Sequence, residues 1–379
     1  IYKTDRQDIC LYILLISVIG KKLKARNAGG KGTVKYGFIK VAAATPKISV
    51  ADPEHNASEI IKQMKMAEEN GADILVFPEL CIPGYTCGDL FNQSLLINAC
   101  EKALEDITKA SEKCTALVFA GLPLKRDGKL YNCAAAIFQG RLLGVVPKAN
   151  IPNYGEFYEK RYFTAGENNM GEICVAGQTV PFGTDIIFKF RGMDEYTVAC
   201  EICEDLWVQN PPSVSHALNG ATVMVNLSAS DEAIAKDEYR KALVANQSAR
   251  LVCGYVYACS GDGESTQDTV FTGSSIICEN GAVLAESEET SGVIYTEIDV
   301  KKLYFERLKM GTFNGEGNYA EIDHGNGIHT IYMHLIASPV VKKGSTVKAG
   351  QVIGYVGMTG AATGYHLHFG VKVNGTYVN

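Results

Sequence analysis

The stretch VACEICEDLW, residues 198–207, sets two cysteines three residues apart and three acids within five residues behind an apolar run. Read as a Cys-x-x-Cys pair it belongs to metal or redox chemistry. Read as a strand that ends in one thiol it belongs to a layered α/β domain with a nucleophile at a strand end. Strand alternation points Cys200 and Cys203 to opposite faces, which weighs against a dithiol. Cys203 stands at the end of the apolar run and Cys200 within it, and the rest of the chain has to choose between the two readings.

The pattern on either side supports the α/β reading. YGFIKVAAAT, ADILVF, ALVFAGLP, ATVMVNLS and LVCGYVYAC read as buried strands. KLYNCAAAIFQGRLLGVVPK reads as two strands joined at Gln139-Gly140. NASEIIKQMKMAEENGA has helical spacing with Asn56 as a cap candidate, and INACEKALEDITKASEKC and DEAIAKDEYRKALVANQSAR (residues 231–250) read as helices. Strand–helix alternation of this kind predicts an α/β domain.

A cysteine attacks as a thiolate, so a base must take its proton. The usual partner is histidine, but the α/β part has only His55, in a probable loop, and His216, in a Pro-rich segment. A carboxylate is the better candidate base. Glu79 follows Pro78 at the end of one apolar strand, and Lys148 follows Pro147 at the end of another. Strand ends of an open α/β sheet converge on one edge, where such sites sit.

FPEL (77–80), PKANIPNYGEFYEKRYF (147–163) and CEDLW (203–207) resemble the motifs of the nitrilase, or carbon–nitrogen hydrolase, superfamily, in the same order, with 69 residues from Glu79 to Lys148 and 55 from Lys148 to Cys203. YGFIKVAAATP, FPELCIPGYTCGDLF, LPLKRDGKLYNCAAAI, EICEDLWVQNPPS and NLSASDE are similar to the glutaminase domain of glutamine-dependent NAD synthetases. The resemblance implies a nitrilase-type α-β-β-α sandwich with Glu79, Lys148 and Cys203 as catalytic triad and Glu159 as a second glutamate. Glu79 would serve as base toward the thiol and acid toward the leaving nitrogen. Lys148 would hold the oxyanion, work worth about 3–4 kcal/mol for one donor. Cys203 would form a thioester that water releases. Tyr85, Tyr154, Glu204 and Ser230 match the positions that contact glutamine, Glu204 holding its α-amino group. The same triad serves general aliphatic amidases and carbamoylases, the alternative reading. No cofactor is implied. The synthetase half of the family would carry an SGGxDS-type loop for ATP, and this sequence has none.

Near residue 315 the composition shifts: cysteine disappears, glycine rises, and five of the seven histidines lie from His324 onward. Residues 315–379 read as a small all-β, Gly-rich segment after a hydrolase domain at 36–314. GNYAEIDHGNGIHTIYMHL and VKKGSTVKAGQVIGYVGMTGAATGYHLHFGV resemble the C-terminal half of lysostaphin-type (LytM-like) zinc endopeptidases, which cut cell-wall peptides. That resemblance implies His368 as one zinc ligand and His366 and His334 as catalytic histidines. The family draws its other two ligands from an upstream segment with no counterpart here. Three protein ligands are needed for a catalytic zinc, so the expectation is a degenerate site without zinc.

Composition agrees. With 46% hydrophobic and 21% charged residues the chain can build a core. A net charge of −6 gives no reason to expect nucleic acid or an anionic membrane as partner. Twelve scattered cysteines read as reduced thiols of a cytoplasmic protein. Residues 1–35, with eight Lys or Arg against two Asp, read as a basic, poorly ordered extension. Their apolar run at 9–19 is short of the roughly 20 residues a spanning helix needs. L-glutamine is the expected substrate, and a homo-oligomer the expected assembly.

Overall fold

The structure, a computed structural model, describes residues 12–16 as backbone and then residues 37–167, 169–190, 193, 195–310, 313, 317–336, 338–357 and 366–378. In chain order the elements are β1 (Tyr12–Ile16), β2 (Phe38–Thr45), α1 (Pro53–Glu69), β3 (Ile74–Val76), α2 (Ser94–Ala110), β4 (Leu117–Arg126), β5 (Lys129–Phe138) and β6 (Arg141–Pro147). Next come β7 (Gly171–Val175), β8 (Gln178–Phe182), β9 (Ile186–Phe190), β10 (Thr197–Ile202), α3 (Glu204–Trp207), α4 (Pro212–Leu218), β11 (Val223–Ser228), α5 (Lys236–Arg250) and β12 (Gly254–Cys259). The last are β13 (Ile276–Glu279), β14 (Ala282–Glu286), β15 (Gly292–Asp299), α6 (Val300–Leu308), β16 (Asn318–Asp323), β17 (Ile328–Leu335), β18 (His368–Val373) and β19 (Thr376–Val378).

The chain divides into two units, Ile1–Ser213 with Ala221–Leu303, and Val214–Gly220 with Tyr304–Asn379. The first holds two sheets, in the strand orders β1-β9-β10-β11-β12-β13-β14 and β15-β2-β3-β4-β5-β6-β8-β7. They stack face to face, with β12 on β2, β11 on β3 and β4, and β10 on β5 and β6. Helices α1 and α2 cover the outside of one sheet and α5 the outside of the other, which completes an α-β-β-α sandwich. Strands with both faces covered are apolar throughout, and Ile74, Leu75 and Val76 of β3 are fully buried. Each large apolar side chain so buried contributes about 1.5–3 kcal/mol.

Local chemistry sets the element ends. Gln139 and Gly140 have φ of 47° and 78°, the paired positive values of the two-residue turn that joins β5 to β6. The cap of α1 is Asp52, not Asn56: its side chain accepts the His55 N–H at 3.1 Å, and Pro53 opens the helix. Asn56 is buried inside the first turns, with its amide bonded to Ser49 and Ile82. Helix α5 begins at Lys236 rather than at residue 231, because Ala235 at φ 65° breaks the helical path and Asp231 and Glu232 turn back onto Arg240. Strand β1, inside the basic stretch, pairs in parallel with β9; the rest of that stretch lies outside the described residues.

The second unit carries a four-stranded antiparallel sheet, β16-β17-β18-β19. No helix among the described residues is long and apolar enough to cross a membrane.

Candidate active site

Three strand ends supply the site: Glu79 lies just beyond β3, Lys148 follows β6 directly, and Cys203 follows β10 directly. Cys203 turns the chain from β10 into the short helix α3 with φ 43° and ψ −98°. That conformation projects a side chain out of the sheet edge at a cost of about 1–3 kcal/mol. Its N–H donates to Leu227 O at 2.9 Å and to Asn226 Oδ1 at 3.1 Å, which holds the turn against β11.

Lys148 Nζ lies 2.6 Å from Glu79 Oε1 and 2.6 Å from Glu159 Oε1. All three are buried, with 0%, 0% and 5% of their surfaces exposed for Lys148, Glu79 and Glu159. Burial works against the ammonium, but Glu159 and Glu79 outweigh it and hold Lys148 well above its ordinary pKa. Burial pushes Glu159 up, opposed by Lys148 and reinforced by Glu79. The pair of acids is further tied by Asn132 Nδ2, at 2.6 Å from Glu79 and 3.4 Å from Glu159. Tyr85 donates its hydroxyl to Glu159 at 2.8 Å, and the Ala229 N–H donates to Glu79 at 3.0 Å.

Two acidic side chains and one ammonium thus share the buried site with the thiol. Burial, then Glu79, push Cys203 well above the usual cysteine range, with Lys148 and the Ser228 hydroxyl opposing. At rest the sulfur is therefore protonated, and attack requires a base that takes the proton as the bond forms. The adjoining Glu79 carboxylate can be that base, and the Lys148 ammonium can stabilise the negative oxygen produced on a carbonyl.

At the mouth, Tyr154 donates its hydroxyl to both oxygens of Glu204, at 2.8 and 2.9 Å. Tyr154 is 58% exposed, so this carboxylate is within reach of a ligand. Ser230 is buried, and its Oγ accepts from Arg240 Nη1 at 3.4 Å. Of the eight residues expected at the site, Glu79, Lys148, Glu159 and Tyr85 share one hydrogen-bonded network. Cys203 is coupled to it electrostatically, Tyr154 and Glu204 form a second pair, and Ser230 bonds outward to Arg240.

Four residues that sequence reasoning passed over support this arrangement. Asn132 sits inside β5 and Asn226 inside β11, both in apolar strands with nothing local to mark them. Asp205 accepts the N–H groups of Ala149, Asn150 and Ile202; its place in CEDLW was the available signal. Glu264 accepts the N–H groups of Tyr85 at 2.8 Å and Thr86 at 3.3 Å.

The carbon-nitrogen hydrolase family model matches residues 40–305. The chain belongs to the carbon–nitrogen hydrolase family. Glutamine-dependent NAD(+) synthetase of Mycobacterium tuberculosis is 41% identical over 283 residues, 74% of this chain and 42% of that protein. A crystal structure of a glutamine-dependent NAD(+) synthetase from Cytophaga hutchinsonii matches with a TM-score of 0.62 at 28% identity, over 73% of this chain and 46% of that one. An amidase from Nesterenkonia sp. matches with a TM-score of 0.53 at 19% identity, over 72% and 95% of the two chains, which shows a shared fold. This carbon–nitrogen hydrolase thus spans less than half the length of the synthetases it matches.

The model of peptidase family M23 matches residues 279–379. In the tail the His334 ring lies 4.7 Å from that of His366 and 5.7 Å from that of His368, centroid to centroid. Among the described residues no three His, Cys, Asp or Glu are grouped to hold a metal.

Proposed function

We propose that the hydrolase unit cleaves the side-chain amide of L-glutamine through a thioester on Cys203. The observation that carries this reading is the burial of Lys148 between Glu79 and Glu159, at 2.6 Å from each, with Cys203 at the neighbouring strand end. Glu79 takes the Sγ proton as sulfur attacks the amide carbon, and Lys148 stabilises the oxyanion. Collapse breaks the C–N bond, and Glu79 passes the proton to the departing nitrogen, which leaves as ammonia. Water then attacks the thioester. Glu79 takes a proton from the water and returns it to sulfur, releasing glutamate. No metal or organic cofactor takes part.

Glutamine is favoured over simple amides by the Glu204 carboxylate, held by Tyr154 at the exposed mouth and suited to an α-ammonium group. The synthetases it resembles are glutamine-dependent by name, which supports the same substrate. A reducing compartment such as the cytoplasm suits the eleven described cysteines, all free thiols.

The test compares kcat/KM for L-glutamine and butyramide in the intact chain and in Cys203→Ala. One charge-assisted hydrogen bond is worth about 1.5–3 kcal/mol, so glutamine should win by roughly tenfold to a hundredfold. The Cys203→Ala chain should fold and be inactive. Equal kcat/KM for the two amides would move the reading to a general aliphatic amidase.

A further inference from the structure

Behind Cys203 runs a chain of buried hydrogen bonds that the proposed chemistry does not use. Cys203 N–H donates to Asn226 Oδ1 at 3.1 Å, Asn226 Nδ2 donates to the Tyr255 hydroxyl at 3.1 Å, and that hydroxyl donates to Glu201 Oε1. The other oxygen, Glu201 Oε2, accepts the Ser213 N–H at 2.8 Å. Asn226 and Tyr255 are fully buried, and Glu201 is 1% exposed. The three side chains stand on the adjacent parallel strands β10, β11 and β12, with Glu201 directly opposite Asn226 in the register.

The direction of every bond in this chain follows from its ends. A backbone N–H can only donate, so Asn226 turns its oxygen to Cys203 and its nitrogen to Tyr255. The Tyr255 oxygen is then an acceptor from Asn226, and its proton must go to Glu201. That order needs an ionised Glu201. A strained turn such as that at Cys203 persists only where its surroundings over-determine it, and Asn226 is one of the two acceptors that do so.

We propose that Glu201 is a positioning residue for Cys203, and that its protonation reverses the chain and loosens the turn that carries the thiol. Ser213 N–H occupies Oε2, so an added proton sits on Oε1 and donates to Tyr255. Tyr255 then donates toward Asn226, whose amide turns over and presents NH2 to the Cys203 N–H, donor against donor. The groups that act on Glu201 are Tyr255 from β12, Ser213, and Asp205 beyond the turn, with the Cys200 thiol coupled to it from its own strand. Burial pushes Glu201 up to about 7, with Asp205 adding and the bonds from Tyr255 and Ser213 opposing, so the reversal falls in the working range.

The inference rests on Cys203 being the nucleophile, and its test does not need glutamine. The rate at which iodoacetamide alkylates Cys203, located by peptide mapping, is followed against pH in the intact chain and in Glu201→Gln. A glutamine at 201 donates to Tyr255 at every pH and so copies the protonated state. Its rate relative to the parent should fall from near one at about pH 5.5 to about one-tenth at about pH 8.5, a tenfold loss equal to about 1.4 kcal/mol. A purely structural role would give a ratio that does not move with pH. Asn226→Asp in the Glu201→Gln background supplies acceptors on both sides and lets the reversed chain close. That double variant should recover to within about threefold of the parent at about pH 8.5. Tyr255→Phe cuts the link between Glu201 and Asn226, so the Asn226 oxygen can stay on the Cys203 N–H at every pH; its rate relative to the parent should rise from near one at about pH 8.5 to about tenfold at about pH 5.5, which decides the matter if Glu201→Gln does not fold. A constant ratio, or a double variant no faster than Glu201→Gln, overturns the proposal. A chain that behaves as stated toward iodoacetamide but leaves glutamine intact overturns the functional reading alone.

Discussion

Asp205, two residues past Cys203, accepts the backbone N–H of Asn150, two residues past Lys148, at 2.8 Å. The same carboxylate accepts Ala149 N–H at 3.3 Å, Asn150 Nδ2 at 2.9 Å and Ile202 N–H at 3.0 Å. One buried side chain thus fixes the spacing between the thiol and the ammonium, although they leave different sheets.

Asp205→Ala should strand three backbone N–H groups, those of Ala149 and Ile202 buried and that of Asn150 partly so, at about 1–3 kcal/mol for each buried one. We expect a loss of 3 kcal/mol or more, roughly, read as a lower urea midpoint by fluorescence of Trp207, the only tryptophan. An unchanged midpoint would show that the two segments are held by other contacts.

Lys148→Met should leave Glu79 and Glu159 facing one another without their cation. Breaking a buried pair in this way costs about 3–5 kcal/mol. The loss should be largest near pH 8 and shrink as pH falls, because Glu159, already pushed up by burial, takes up a proton in the folded state before the unfolded chain does. The folded state then binds more protons, and stability rises as pH drops. Denaturation midpoints at several pH values check this; a deficit independent of pH would contradict it.

Gly121→Ala tests the wall behind Glu79. A Cβ there would lie 2.3 Å from Leu80 N, 2.6 Å from Pro78 O and 2.9 Å from the Glu79 carbonyl carbon. All three are backbone atoms of the segment that carries the base, so nothing flexible can yield. We expect destabilisation by about 3 kcal/mol, at the upper end for overpacking, and a drop in kcat well beyond that of a surface alanine. Full activity would mean that the Glu79 segment tolerates displacement.

Glu264 gives a pH dependence to the stability of the parent chain. Burial, opposed by the N–H groups of Tyr85 and Thr86, raises it from 4.5 to about 7. Between those values the folded chain holds a proton that the unfolded chain has lost, so stability increases as pH falls from about 8 toward 6. The full shift is worth up to about 3 kcal/mol. Glu264→Gln should flatten this part of the curve. A parent chain that only weakens over the same range would refute the assignment.

Much of the fold was readable because its signals are local. Apolar runs such as ADILVF and ATVMVNLS, the Gln139-Gly140 turn, and the helical spacing before Gly71 each lie within a few residues, and local backbone preferences act over that range. Glu79, Lys148 and Cys203 each follow an apolar strand, which made them candidates, and only the resemblance of their motifs to the family joined them into one expected site. The helix starts at Asp52 and Lys236 were misplaced because Asn56, a good capping residue in isolation, is taken by Ile82, 26 residues on, and because Ala235 in the left-handed region breaks the path before Lys236.

Tertiary structure alone decided the electrostatics of the site. Lys148 meets a glutamate 69 residues before it and another 11 residues after it, and no periodicity announces that pairing. Asn132, Glu201, Asn226 and Tyr255 lie within apolar strands, where a polar residue gives no sign of its partner until the neighbouring strand is in register. Burial then compels the match, because a polar group removed from water must find a hydrogen bond inside the protein. The sequence determined which residues end the strands; which charges share a proton was decided only when two sheets closed over them and excluded the solvent.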